Sequence, residues 1–465
     1  MADLMTLLKN IPTEKLIRCF SKLSLDIYHS GGYRIELLFK GKKVLLTGWD
    51  IAEIEYLSIV NSNDYRRFDS ITTTAEWPAR VVNGYQGYMN KTKIKESWKS
   101  PDSTSLVRDL LLGMYMEQSL YQWKAWMNDM YNRNYHILVA GDASPIKAEE
   151  IVQEVLGMSV KEYSAVASII YALSGIEPEV RKVLEVRTDV LARLNTTLEL
   201  VDCFLDYYSV TYEEVRASNL KHLFFYSKPF IKTDRSGCCL ASNCFLTAFT
   251  SVNGLYWLLR DYYCVKGSQA FTNGFGQLFE NYICEIASAY CAEGEWNQLP
   301  QGKKKGADFV FQFPQAIIIV ESKSTLLGLP AKQQLPDDTT MEKFVRCIKV
   351  AYSQLQETYI AIQNPEQKPV LKIVLLYDTS IKGDIVETAC PNEAFAKDPD
   401  CHVMTIREFE YLLHLWKDDK AQFEIVLHCF LEDKQELHKN FTEPSYSWSH
   451  FTGSMDYMGE IRLYD

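Results

Sequence analysis

The stretch KKKGADFVFQFPQAIIIVESKS, residues 303–324, sets two carboxylates and an ammonium on two short apolar runs. In ADFVFQF, alternation puts Phe309, Phe311 and Phe313 on one face and Asp308, Val310 and Gln312 on the other, so Asp308 is expected off the core face. In AIIIVESK, Glu321 and Lys323 are two residues apart and point to one side of a strand end, with Ser322 on the opposite side. A hairpin through Pro314 and Gln315 would bring Asp308 to the side of Glu321. That set suits Mg²⁺-dependent phosphodiester hydrolysis, because a hard divalent ion takes oxygens from one or two carboxylates and leaves its other positions to water and phosphate. Lys323 would orient the attacking water or stabilise charge building on the phosphate.

The elements that must position these residues follow from periodicity. A helix, GFGQLFENYICEIASAY, opens at Gly274, and strands follow around Trp296, in ADFVFQF and in AIIIVES. A helix from about Thr340 to Gln363 leads to the strand VLKIVLLYD, then to a short strand and a helix in HVMTIREFEYLLHLWK, where Thr405 and Glu408 have capping-box spacing. The order α-β-β-β-α-β-β-α implies a mixed sheet between helices.

This order, with its charged residues, resembles the PD-(D/E)XK nuclease superfamily of restriction-endonuclease-like proteins, whose signature is an Asp followed one strand later by Glu-x-Lys. The matching positions are Asp308 and Glu321-Ser322-Lys323, and the resemblance covers roughly residues 270–430. It implies a Glu on the first core helix, for which Glu280 in GQLFENYI stands in place, and a Gln on the following helix, for which Gln354 in VAYSQLQETY is the candidate. No tyrosine follows Gln354 at the four-residue spacing of one branch, and the proline before the Asp is Ala307 here. The resemblance further implies Asp308, Glu321 and Glu280 as ligands of Mg²⁺ or Mn²⁺, with Lys323 and Gln354 completing the catalytic set.

Acid-x-Lys recurs at Glu366–Lys368, Asp418–Lys420 and Glu432–Lys434. The first lies between Pro365 and Pro369 and the others in or beside helical patterns, so only Glu321 closes a β-branched strand preceded by an Asp-bearing one. Glu280 shares its helix face with the small residues Gly276, Cys284 and Ala287, a face able to lie close to a sheet. Gln354 shares a stripe with Val350, Ala351 and Thr358, where a core hydrogen bond is as good a reading as a site. Lys303, Lys304 and Lys305 between Gly302 and Gly306 lie where a phosphate backbone would approach, and Lys332 and Lys343 would extend that track.

With 465 residues and 47% hydrophobic content the chain has room for several cores, and a net charge of −11 excludes a uniformly basic coat while leaving room for a local basic patch. Twelve scattered cysteines without a secretory signal read as reduced thiols and a cytoplasmic address. Cys238, Cys239 and Cys244 lack a second spaced pair for zinc, and no nucleophile elbow, phosphate-binding loop or dinucleotide fingerprint occurs. The uncharged run Gly237–Leu259 carries too many Ser, Thr and Asn for a membrane span and reads as a buried helix after a loop.

The fold class expected is α/β of mixed (α+β) type. It comprises a small α/β region at 1–100, a mainly helical accessory domain at 101–265 and the nuclease-like domain at 266–465, with FFYSKPFIKTDRSGCC (224–239) as the connection. Two alternating runs flanking Gly41 read as a hairpin before a helix near Asp50, and Ser159/Glu162 and Thr211/Glu214 have capping-box spacing. The function expected is a metal-dependent nuclease acting on nucleic acid, DNA ahead of RNA, of the kind found in prokaryotic restriction and phage defence. Residues 1–265 would then select the substrate or restrain the nuclease, as a protein-partner or homo-oligomer surface. The competing expectation is a catalytically silent nuclease fold that binds nucleic acid or assembles a complex.

Overall fold

Short apolar runs between turns become strands in this chain, and longer runs with three-and-four spacing become helices. The computed structural model describes residues 4–61, 71–97, 124–139, 144–234, 236–266, 269–300, 306–324, 338–377 and 383–432. Pro12 separates a helical turn at Leu4–Leu8 from α1 (Thr13–His29), as expected of a residue that cannot continue a helix. β1 (Arg34–Phe39) and β2 (Lys42–Thr47) pair antiparallel with Phe39 opposite Lys42. Lys40 and Gly41 join them at φ 49° and 71°, a left-handed turn whose twist suits a two-residue hairpin. In α2 (Gly48–Val60), Asp50 accepts from the Thr47 N–H at 3.1 Å and satisfies a donor of the first turn.

α3 (Lys124–Val139) and α4 (Val160–Ser174) follow, the latter opened by the Ser159/Glu162 capping box; the Thr211/Glu214 box is also formed. Residues 224–239, read from sequence as a connection, instead contribute to a small sheet of β3 (Ser209–Thr211), β4 (Phe230–Lys232) and β5 (Cys239–Ala241) in that order. Strands of three residues are too short to display a period, so only long-range pairing defines them. α5 (Cys244–Val265) is the buried helix expected there. Its polar residues bond back to their own helix: Thr247 Oγ1 donates to Asn243 O at 3.0 Å, and Ser251 Oγ to Thr247 O at 2.9 Å. Among the described residues no helix is long and apolar enough to cross a membrane.

From Ala270 onward the elements that build and flank the largest sheet are α6 (Ala270–Tyr290), β6 (Trp296–Gln298), β7 (Phe309–Gln312), β8 (Ile317–Lys323), α7 (Asp338–Ala361), β9 (Val370–Leu376), α8 (Gly383–Ala389), β10 (Cys401–Thr405), α9 (Ile406–Asp418) and α10 (Lys420–Glu432). The five strands run β10-β9-β8-β7-β6 across one sheet, antiparallel from β6 to β8 and parallel from β8 to β10. α7 covers the face of Val310, Ile317, Ile319 and Val374; α9, with α6 against it, covers the face of Phe309, Phe311, Ile318 and Val320. All seven residues of β9 are buried, so the strand reads as an apolar run rather than an alternation, broken only by Lys372, whose ammonium donates to Asp398 Oδ2 at 2.6 Å. Burial of side chains of this size stabilises by roughly 1.5–3 kcal/mol each.

The core on the α9 side is continuous from Leu4 to Phe430, so the N-terminal half and the sheet share one hydrophobic interior. An ion pair lies within it: Arg133 of α3 donates to Glu410 of α9 from Nε at 2.7 Å and from Nη2 at 2.6 Å, and the Tyr282 hydroxyl of α6 donates to Glu410 Oε1 at 2.6 Å.

Candidate active site

Antiparallel pairing of β7 with β8 places Phe309 opposite Val320, and the turn between them closes with Phe313 N–H donating to Ala316 O at 2.9 Å. The residue before Phe309 and the residue after Val320 therefore lie side by side, and these are Asp308 and Glu321. Asp308 is held by its backbone, its N–H donating to Val320 O at 3.0 Å and its carbonyl accepting from Leu299 N–H at 2.8 Å. On the other flank β9 runs parallel, with Val374 beside Glu321 and Leu376 beside Lys323. Both carboxylates are buried, Asp308 at 5% and Glu321 at 2% exposure. The expectation that Asp308 would stand away from the core fails because α7 makes the second face of the sheet a core as well.

Ser322 also departs from its expected orientation. Its N–H and its hydroxyl both donate to Asp308 Oδ2, at 2.8 and 2.7 Å, so it fixes the aspartate rather than turning away. Strand alternation gives no sign of this, because the contact crosses between strands at their ends. Lys323 Nζ donates to Glu321 Oε1 and, at 3.2 Å, to Gln354 Oε1. Gln354 Nε2 in turn donates to Gly306 O at 3.2 Å. One helical turn further along α7, Thr358 Oγ1 accepts from Ala307 N–H at 2.7 Å. A Cβ on Gly306 would lie 2.8 Å from that oxygen, so glycine is what allows the chain to pass this close. α7 thus clamps both residues preceding Asp308 and the ammonium of Lys323 through one polar face. Val350, read from sequence as part of this stripe, points outward and is exposed.

Glu280 stands on α6 at the margin of the same site. Gln298 Nε2 donates to its Oε2 at 3.5 Å, and Cys284 Sγ lies 3.7 Å from Gln298 Oε1. A Cβ on Gly276 would sit 3.6 Å from Ser324 Oγ, so the small-residue face of α6 does approach the end of β8. Burial first, then the Asp308 charge, raises the Glu280 carboxyl, with Lys323 acting the other way. Glu321 is pushed up to about 7 by burial and by Asp308, with a smaller contribution from Glu280, against the opposing pull of Lys323. A carboxylate with such neighbours is poised to gain from a cation.

The structure therefore brings Asp308, Glu321, Lys323 and Gln354 together and sets Glu280 beside them. Lys343 is exposed on α7, while Lys303, Lys304, Lys305 and Lys332 lie outside the described residues. Glu366 pairs with Lys368 at 2.9 Å in the turn before β9, Asp418 ends α9 and Glu432 ends α10, so none of the three competing acids occupies a strand end. Thr358 and Gln298 went unread as site residues; Thr358 was legible as the i+4 neighbour of Gln354, whereas nothing in β6 marks Gln298.

No family model matches the chain, and no curated protein or solved structure does either. The site rests on its own geometry. Among the described residues no three His, Cys, Asp or Glu side chains close into a metal cage. The donors nonetheless fit a hard cation: Glu321 Oε2 is buried without a hydrogen-bond partner, and its carboxyl feels both Asp308 and Glu280. A Mg²⁺ held through one or two carboxylates, with water and phosphate elsewhere, does not need a third protein ligand.

Proposed function

We propose that this protein is a metal-dependent nuclease that hydrolyses phosphodiester bonds, DNA being the expected substrate, on a restriction-endonuclease-like core formed by α6, β6, β7, β8, α7 and β9. The observation that carries the reading is the meeting of Asp308, Glu321 and Lys323 at adjacent strand ends, with one Glu321 oxygen buried and unpartnered. The order of elements and the antiparallel-then-parallel sheet support it.

Asp308 and Glu321 would hold Mg²⁺ or Mn²⁺, with Glu280 as a further carboxylate at the margin. When bound, such an ion neutralises phosphate charge and makes a water a stronger nucleophile near neutral pH. Lys323 currently gives its ammonium to Glu321; once that carboxylate is otherwise neutralised, the ammonium can hydrogen-bond to the attacking water or to a phosphate oxygen. Gln354 keeps Lys323 aimed at this position, and Ser322 keeps Asp308 from rotating away. Residues 1–265 would select the substrate or restrain cleavage, as in restriction and phage-defence effectors.

The test is incubation with plasmid, linear duplex, single-stranded DNA and RNA in Mg²⁺, Mn²⁺ or EDTA, alongside Glu321→Ala. Metal-dependent cleavage lost in the variant supports the proposal and reads out the substrate. No cleavage of any substrate removes the catalytic reading and leaves a nucleic-acid-binding or assembly protein on the same fold.

A further inference from the structure

α3, from the N-terminal half, touches three elements of the site-bearing layer through neighbouring residues. Arg133 pairs with Glu410 of α9, Asn134 accepts from the Tyr377 hydroxyl at the exit of β9, and His136 Nε2 lies 2.8 Å from Glu285 Oε2 on α6. α6 also bears Glu280. The most consequential of these contacts is at Tyr377, whose own backbone N–H donates to the carbonyl of Lys323 at 3.0 Å. One residue therefore bonds to the N-terminal half through its side chain and to the lysine of the site through its main chain.

Tyr377 is seated for such a role. It is buried, and its ring meets Phe275 and Phe279 of α6 at centroid distances of 4.9 and 5.3 Å and Tyr256 of α5 at 6.4 Å. Those rings fix where the side chain lies, while the hydroxyl finds its acceptor on α3. Asn134 is itself anchored, its Nδ2 donating to Val252 O at 3.1 Å and to Asn253 Oδ1 at 2.8 Å. Its carbonyl oxygen is thus oriented toward Tyr377 by bonds to α5 on its other side. The hydrogen bonds from α5 to Asn134 and from Asn134 to Tyr377 are buried, and such bonds are stiff because water cannot replace them.

We infer that Tyr377 is a positioning residue through which the N-terminal half sets the placement of Lys323 at the site, so that displacement of α3 from Tyr377 would loosen the end of β8 and lower turnover. This deepens the nuclease reading and rests on it for its effect on turnover; the mechanical link between α3 and Lys323 does not depend on it. A relay of this kind would let a partner bound by residues 1–265 govern cleavage without reaching the site.

The experiment compares the full-length wild type with Tyr377→Phe, Asn134→Ala and the double variant. Tyr377→Phe keeps the aromatic packing and removes only the hydroxyl, so folding should survive. Amide hydrogen exchange at residue 377 reports the bond to the Lys323 carbonyl and is expected to accelerate about tenfold in each variant, the upper range for one buried hydrogen bond. The double variant should be no faster than Asn134→Ala alone, which already removes the shared contact. On whichever nucleic acid the wild type cleaves, kcat should fall by a similar factor while KM stays constant, a split that a general loss of stability would not produce. Unchanged protection of amide 377 in Tyr377→Phe overturns the inference whatever the enzyme does, as does accelerated exchange with wild-type kcat. If the wild type cleaves nothing, the nuclease reading falls and turnover control falls with it, while amide exchange still decides whether α3 holds the end of β8.

Discussion

Two glutamates buried in the same layers of helix and sheet are treated differently by this fold. Glu410 is fully buried and fully paired, with a two-pronged Arg133 and the Tyr282 hydroxyl satisfying both oxygens. Glu321 is equally buried, yet Lys323 reaches only one of its oxygens and two further carboxylates press on it. A finished pair is a structural joint, whereas an unfinished one surrounded by like charge leaves an oxygen over, the one to which the proposed function assigns a cation. Glu55 refines the comparison. It too is buried with one oxygen unpartnered, but burial alone raises its carboxyl and its partner is the neutral Ser242 hydroxyl. No charge converges on Glu55, so it is the convergence of charges, rather than an unsatisfied oxygen, that sets Glu321 apart.

The largest effect expected from breaking the contrast is at the unfinished pair. Glu321→Ala and Lys323→Ala should each lower kcat by at least about 10³-fold, as for loss of a group acting on transition-state charge, while circular dichroism shows both folded. At the finished pair the loss should appear in stability instead: Arg133→Met leaves Glu410 buried and short of a counter-charge and should cost about 3–5 kcal/mol in urea unfolding.

The pH dependence sharpens the contrast further. Because the folded carboxyl of Glu321 is raised to about 7 from an ordinary value of 4.5, the native state binds the extra proton, and this contribution to stability is lost as pH rises through 7. Without divalent cation, Glu321→Gln should therefore gain about 3 kcal/mol over wild type between pH 4.5 and pH 8, at ~1.36 kcal/mol per unit. Added Mn²⁺ should reverse that advantage by binding the wild type alone. A constant difference across this range would show that Glu321 does not titrate as a buried, crowded acid. Gln354→Leu, which frees Lys323 from its second acceptor, should lower kcat about tenfold with little change in KM. Glu366→Ala, at a solvated acid-x-Lys, should alter neither activity nor stability.

How much of this was readable in advance depended on the range of the interaction. The hairpin at Lys40–Gly41, the capping boxes at Ser159, Thr211 and Thr405, and the strands bearing Asp308 and Glu321 are local patterns, and all appear in the fold. The strands β3 to β5 escaped because three residues carry no period, and Ser322 was misread because alternation describes the middle of a strand and not its end. Burial of Asp308 was missed because a residue's face can be read from its own strand, whereas the helix covering that face arrives from elsewhere in the chain.

By itself, then, the order of residues determined the types of α6, β6, β7, β8, α7, β9, β10 and α9, though not the helix α8 between β9 and β10, and the chemistry available at two strand ends, since both depend on spacing within a few residues. Tertiary structure alone decided that Glu321 would lack a second partner while Glu410 would have all of its own. Arg133 and Glu410 are 277 residues apart, and no local pattern brings them together. Their meeting, like that of Asn134 with Tyr377, follows from packing α3 against the sheet layer in one shared hydrophobic core.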